Sequence, residues 1–262
     1  MAGHEGGRVK LSPAQKKAFA RDGFVVVPRV VPRARVDAAL REINNRLGSG
    51  AHPGKDGYAD SVDYLSEYVS TPVIMDLMNG SPLPALAESL LGVNRVERCS
   101  QAQLALRFPS KSDDAPAKVS VHVDGLYPDT GPAITRYTFC AGVVLSDVTA
   151  ENRGNFLAYP GTHRLIAERF LKNGLDALRG GVARVVDLPA PVQVKAKAGD
   201  VILFHFQTAH DKARNDGAEI RYMAYFRFWH VDAWRDKSPA YLERALTDIW
   251  LEWPGMRGVH GT

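Results

Sequence analysis

The chain has only two cysteines among its 262 residues, Cys99 and Cys140, too few for the disulfide framework of a small secreted domain. Each lies in an apolar, strand-like run, where a small buried thiol is the commoner use, so a reducing compartment fits. No apolar stretch approaches the roughly 20 residues needed to cross a bilayer. Met1 to Lys10 carries His4, Glu5, Arg8 and several glycines where a secretion signal would have its apolar centre. These lacks predict a cytoplasmic protein with no membrane partner. A basic block is missing as well. The net charge is +4 and the pI near 9.0, but Lys and Arg are interspersed with Asp and Glu along the chain. Nucleic acid is therefore a poor partner, and the excess charge suits a mildly cationic surface or pocket for anionic small molecules. There is no internal repeat and no flexible interdomain linker.

What is present is ordinary globular material, 45% hydrophobic and 24% charged, which places the chain among proteins that bury a full core. Ser12-Pro13-Ala14-Gln15 combines an N-cap, a proline at the first helical position and a capping-box partner, predicting a helix to about Arg21 that Gly23 breaks. Phe24 to Val27 reads as a strand. Val36, Leu40, Ile43 and Leu47 recur at helical spacing before Gly48. Residues 49 to 70 hold Tyr58, Tyr64 and Tyr68 without a firm period and read as a surface segment able to cover a site. Thr71-Pro72 and Ser81-Pro82 each start a helix, stopped by Gly80 and Gly92. From Arg95 the texture changes to short β-like runs at 95–108, 119–124, 135–147, 154–159, 183–187, 192–196, 201–206 and 219–229. The fold class expected is mainly β with flanking helices, a jelly roll under an N-terminal helical layer. One domain over 1–262 is the expected count: helical layer and lid segment 1–94, jelly-roll core 95–230, C-terminal extension 231–262. Monomer and homodimer both stay open.

The chemistry centres on His122-Val123-Asp124. Successive side chains of a strand point to opposite faces, so His122 and Asp124 project together from one element. A His-x-Asp pair alone is weak evidence, because eight histidines among 29 acidic residues produce such pairs by accident. A buried strand ending in the polar His210 would complete two imidazoles and one carboxylate, the set that holds non-haem Fe(II) and leaves coordination positions open. Asn215-Asp216-Gly217 is a strong hairpin signal. A tight turn there places His210 opposite Met223, with Arg221 diagonally beside it in the metal pocket, where its planar fork suits a dicarboxylate. The competing reading is an outward Arg221 paired with Asp or Glu, since a looser turn flips the face. His205 points to the face opposite His210 and reads as core. His163 closes a Pro-Gly turn beside a helix start, and His230 follows an aromatic strand. Tyr58, Tyr64, Arg136 and Tyr137 are candidates for the substrate cavity, with packing or loop anchoring equally served.

These residues resemble the phytanoyl-CoA dioxygenase-like family of Fe(II)- and 2-oxoglutarate-dependent oxygenases over about Leu11 to Trp229. The likeness rests on the helix before Asp22-Gly23-Phe24, on His122-x-Asp124, and on Glu151-Asn152-Arg153-Gly154-Asn155-Phe156 with Pro160-Gly161-Thr162-His163. It rests above all on His210 followed eleven residues later by Arg221. The resemblance implies a double-stranded β-helix of the cupin-like jelly-roll type. It also implies Fe(II) held by His122, Asp124 and His210 as the catalytic centre, with the distal carboxylate of 2-oxoglutarate on Arg221. Gln103 is a further cosubstrate contact, and Lys212 stands where members often have a small hydroxyl residue. The implied reaction consumes 2-oxoglutarate and O2, releases succinate and CO2, and hydroxylates or otherwise oxidises a small polar metabolite. Related halogenating enzymes have a small residue in place of the carboxylate, so Asp124 argues for hydroxylation, desaturation or ring closure. The alternatives are a non-redox metal enzyme of cupin type and a catalytically silent ligand-binding jelly roll.

Overall fold

A computed structural model describes residues 10–50, 58–60, 65, 69–110, 121–124, 137–177 and 186–259, with 58–60 as backbone alone. Helix α1 (Pro13–Asp22) starts as its sequence dictates. The Ser12 hydroxyl accepts from the Gln15 backbone N–H, and the Gln15 side chain accepts from the Ser12 N–H. After β1 (Phe24–Val27), α2 spans Arg33–Gly48, with Gly48 in the last turn and Ser49 as cap. β2 (Tyr58–Asp60) precedes α3 (Pro72–Asn79), capped by Thr71, and α4 (Leu83–Leu91). Pro82 takes the cap of α4, one place later than Ser81-Pro82 predicts, and the Ser81 hydroxyl accepts from the Leu83 N–H.

The strands follow. β3 (Val96–Arg98) and β4 (Gln103–Arg107) divide the single run expected at 95–108. Then come β5 (Phe139–Val144), β6 (Phe156–Ala158), helix α5 (Thr162–Asn173), β7 (Val192–Gln193), β8 (Val201–His205), β9 (His210–Lys212) and β10 (Arg221–His230). Helices α6 (Val231–Arg235) and α7 (Pro239–Thr247) close the order. Of the run at 183–187, residues 183–185 lie outside the described residues, and Val186 and Asp187 are in no strand. The large sheet runs β1-β8-β5-β10-β4-β2, with β3 also on β10, and the small sheet runs β7-β6-β9. All these pairs are antiparallel. The architecture is the expected jelly-roll type under an N-terminal helical layer, and among the described residues the sheets form no closed barrel.

Period-2 alternation sends the side chains of the central strands into two cores, one on each face. Phe139, Ala141 and Val143 of β5, Val201 and Leu203 of β8, and Ala224, Phe226 and Phe228 of β10 share one core with the helices. Cys140, Val144, Ile202, Phe204 and Met223 face the other way, into a second core with Phe156 and Ala158 of the small sheet. A strand covered on both faces needs no polar positions. Cys140 is buried and Cys99 partly so; burial raises both thiols, which makes them poor nucleophiles.

The expected tight hairpin at Asp216-Gly217 is not what forms. β9 belongs to the small sheet, where His210 pairs with Ala158, while β10 lies at the centre of the large one, where Met223 pairs with Ala105 and Val144. The connection crosses between sheets, and Asn215 shapes it. Its Nδ2 donates to the carbonyls of Arg107 at 2.9 Å and Glu219 at 2.8 Å, and its Oδ1 accepts from the Gly217 N–H. The Asp216 N–H goes to the Asn152 carbonyl. The Asn215 carbonyl, which a two-residue turn would use, accepts instead from the Ser110 N–H at 2.7 Å.

Candidate metal centre

His210 is paired on both sides. Beyond its pairing with Ala158 it exchanges two backbone hydrogen bonds with His122, at 3.1 and 3.0 Å. This antiparallel bridge sets the two imidazoles side by side, ring centroids 4.5 Å apart. Two residues further, Asp124 returns to the His122 face. Its Oδ1 lies 3.3 Å from His122 Nε2 and 3.9 Å from His210 Nε2. One ligand atom from each of the three residues falls within 4.8 Å of the others. His210 is buried among Phe156 and Phe204, whereas His122 is exposed, so the cluster sits where the interior opens.

The electrostatics suit a cation. His210 Nδ1 lies 2.9 Å from the Thr208 carbonyl, which can only accept, so Nδ1 carries the proton and Nε2 presents its lone pair. Burial foremost, then the neighbouring His122, pushes His210 down to about 4 against the pull of Asp124. The ring is neutral at pH 7. For Asp124 burial opposes the charge. The hydrogen bond from His122 and the proximity of His210, Arg227 and His122 outweigh it and hold the carboxyl well below the usual range.

Arg221 faces inward despite the failed hairpin, because alternation along β10 puts Arg221, Met223, Tyr225 and Arg227 on one face. It is 3% exposed. Its Nε donates to the Gly154 carbonyl at 2.6 Å and its Nη1 to the Ala105 carbonyl at 3.1 Å, so only neutral acceptors hold it among the described residues. Gly154 has φ +72°, and a Cβ there would stand 3.0 Å from Arg107 and 3.1 Å from Arg221. The turn around it is fixed by Asn155, whose Oδ1 accepts from the Arg153 N–H while its Nδ2 donates to the carbonyls of Ala150 and Val194. The motif at 151–156 thus cradles the arginine. Gly142 lies on the same inner face, where Met223 and Tyr225 take the place of its side chain; a Cβ there would meet both at 2.9 Å.

The other candidates divide. Gln103 Oε1 accepts from Arg227 Nη2 at 2.6 Å, and the Tyr137 hydroxyl donates to Asp124 Oδ2 at 2.9 Å. Lys212 shares the His210 face of β9 and is half-buried. The backbone of Tyr58 pairs with Arg107; Tyr64 and Arg136 lie outside the described residues, as does Tyr68 of the same segment. His205 is buried on the far side, its Nε2 3.0 Å from the Ile249 carbonyl and its ring stacked on Trp253. His163 contacts the Ala20 carbonyl, and His230 caps α6. Sequence reasoning missed Arg227, whose Nη2 lies 3.3 Å from Asp124 Oδ2. The signal was available in the alternation that connects it to Arg221.

A model of the family described as phytanoyl-CoA dioxygenase (PhyH) matches residues 19–223. Among solved structures, the non-heme alpha-ketoglutarate-dependent carbocyclase SnoK from nogalamycin biosynthesis is 21% identical, with a TM-score of 0.58 over 85% of this chain and 87% of that one. HygX from Streptomyces hygroscopicus, with nickel and 2-oxoglutarate bound, is 19% identical, with a TM-score of 0.58 over 84% and 87%. EctD from S. alaskensis in its apoform is 20% identical, with a TM-score of 0.59 over 88% and 80%. No curated protein matches the sequence. With its family model covering most of the chain, this protein belongs to the phytanoyl-CoA dioxygenase family.

Proposed function

We propose that the chain is an Fe(II)- and 2-oxoglutarate-dependent dioxygenase that hydroxylates, or otherwise oxidises, a small polar metabolite, with release of succinate and CO2. The observation that carries this reading is the convergence of His122, Asp124 and His210 within 4.8 Å, on an interior that also holds Arg221. Two imidazoles and one carboxylate fit Fe(II) and leave positions free. Arg221 fits the cosubstrate because a buried guanidinium held by two carbonyls retains its full charge, and a carboxylate is the partner that offsets it. Iron and 2-oxoglutarate, when bound, supply the activation of O2; the protein supplies placement and the exclusion of water.

The chain's own residues divide the remaining work. Thr208 fixes the tautomer and direction of His210. Phe156 and Phe204 wall the buried imidazole with apolar surface, Tyr225 packs on both of these rings, and Gly142 lets the side chains of Met223 and Tyr225 lie against its backbone. The fold leaves the outcome of the oxidation open, since a carbocyclase shares it; the intact carboxylate ligand argues against halogenation and fits hydroxylation, desaturation and ring closure alike, of which hydroxylation is our proposal. Among the described residues no helix is long and apolar enough to cross a membrane, which accords with a small-molecule substrate.

Adding Fe(II) and 2-oxoglutarate without oxygen tests the reading. A visible metal-to-ligand charge-transfer band is expected for the wild type, absent in His210→Ala. A colourless wild type would overturn the proposal in favour of a non-redox metal enzyme or a silent binding domain. A band without succinate release on admitting oxygen and candidate metabolites would overturn the catalytic half alone.

A further inference from the structure

We infer that Arg227, with Tyr137 beside it, is a positioning residue that restrains Oδ2 of Asp124 and so leaves Oδ1 as the one oxygen offered to the metal. The inference rests on the function proposed above. A carboxylate that chelates a metal through both oxygens takes up a further coordination position, and this chemistry needs positions for both 2-oxoglutarate and oxygen. Here the two oxygens of Asp124 have different surroundings. Oδ1 faces the imidazoles at 3.3 and 3.9 Å. Oδ2 accepts from the Tyr137 hydroxyl at 2.9 Å and from Arg227 Nη2 at 3.3 Å.

Backbone alone does not fix that orientation. Within the described segment 121–124, one β-bridge at His122 ties the chain to the small sheet, and Asp124 lies beyond it. The restraint comes from the large sheet. Arg227 stands on β10, its Nη2 also bonded to Gln103 Oε1 of β4 at 2.6 Å, and its guanidinium lies 5.5 Å from the centroid of the Tyr137 ring. Tyr137 is fully buried just before β5. A side chain of the large sheet and one from the residue pair leading into it therefore hold the free oxygen of a ligand carried by the opposite side of the jelly roll. Gln103 acts through Arg227 in this arrangement.

The test is a Co(II) titration of the metal-free full-length protein, followed by the d–d absorption of the ion, for the wild type, Arg227→Gln, Arg227→Lys and Tyr137→Phe. Partners of metal ligands typically contribute about 10- to 100-fold in metal affinity. Arg227→Gln is expected to weaken Co(II) binding within that range and to change the band intensity as the carboxylate turns to bind through both oxygens. Tyr137→Phe should shift both readouts the same way by less, and Arg227→Lys, which keeps the charge, should recover part of the loss. Circular dichroism of the metal-free proteins checks folding; if Arg227→Gln fails to fold, Tyr137→Phe decides, since it removes a single hydroxyl. Wild-type affinity and an unchanged spectrum in the folded variants would overturn this inference and leave the proposed function standing. A wild type that does not bind Co(II) would overturn both. Responsive variants in a protein with no charge-transfer band on Fe(II) and 2-oxoglutarate would sink the oxygenase reading alone.

Discussion

An arginine inside a protein is costly unless something accepts its charge, and Arg221 shows how the chain meets that cost in two stages. The carbonyls of Gly154 and Ala105 orient the guanidinium, and the remaining charge is left for a ligand. Truncating one partner of a buried, hydrogen-bonded charge pair costs about 2–5 kcal/mol, so Arg221→Ala should raise the dissociation constant of 2-oxoglutarate at least about 30-fold. Titrating the anaerobic charge-transfer band gives that constant directly, and a shift under threefold would remove Arg221 from the binding site. Gly154→Ala should act on the same ligand by another route. Placing a side chain at φ +72° costs about 1–2 kcal/mol, and the new methyl displaces Arg221. Weaker 2-oxoglutarate binding together with a lower melting temperature is expected, and a variant that loses neither would show that the turn has slack.

Strand periodicity made most of this site legible, and the limit of that reading lies in how strands are assembled. His122 and Asp124 on one face and His205 turned away follow from alternation within an element, whereas the inward Arg221 is read from a hairpin register that does not form, and only its sharing a face with Met223 rests on alternation. The partner of β9 did not follow, because Asn-Asp-Gly is compatible with a tight hairpin and equally with a crossing held by side-chain bonds. Which one forms depends on Arg107, more than one hundred residues away in sequence. Arg227 was missed for a related reason: its position on the inner face is local information, but its partner Asp124 comes from the other sheet. The crossing can be tested. Asn215 is 1% exposed and satisfies two carbonyls and one N–H, so Asn215→Ala removes three hydrogen bonds from a buried connection and should destabilise the fold by about 2 kcal/mol. Urea unfolding should show a lower midpoint at unchanged slope. A loss below about 0.5 kcal/mol would mean that backbone pairing alone sets the crossing.

The helical layer, the large sheet and the C-terminal residues meet in a core that encloses ionisable groups, and this couples the stability of the whole chain to pH. Trp253 packs on Phe19 of α1, Phe139 of β5 and His205 of β8, and Trp250 covers both His163 and His205. Burial first, then the proximity of His205 and Arg164, holds His163 well below the ordinary histidine value of 6.5, with Ala20 and Asp22 opposing. In the unfolded chain His163 titrates near 6.5, so at lower pH the unfolded state takes up a proton that the folded state refuses. The sign follows: stability is intact above about pH 6.5 and falls with acid by up to about 1.4 kcal/mol per pH unit for each such histidine. His210, pushed down to about 4 in the metal-free protein, adds a second proton in the same direction. The metal-free wild type should therefore lose stability on going from pH 7 to 5.5, above the range where ordinary carboxyls titrate, with a slope that grows towards two protons. His163→Gln removes one of them, and its denaturation free energy should depend on pH about half as steeply. The same slope in both proteins would show that His163 takes up its proton without unfolding, and that the packing of Trp250 against α5 yields to accommodate the charge.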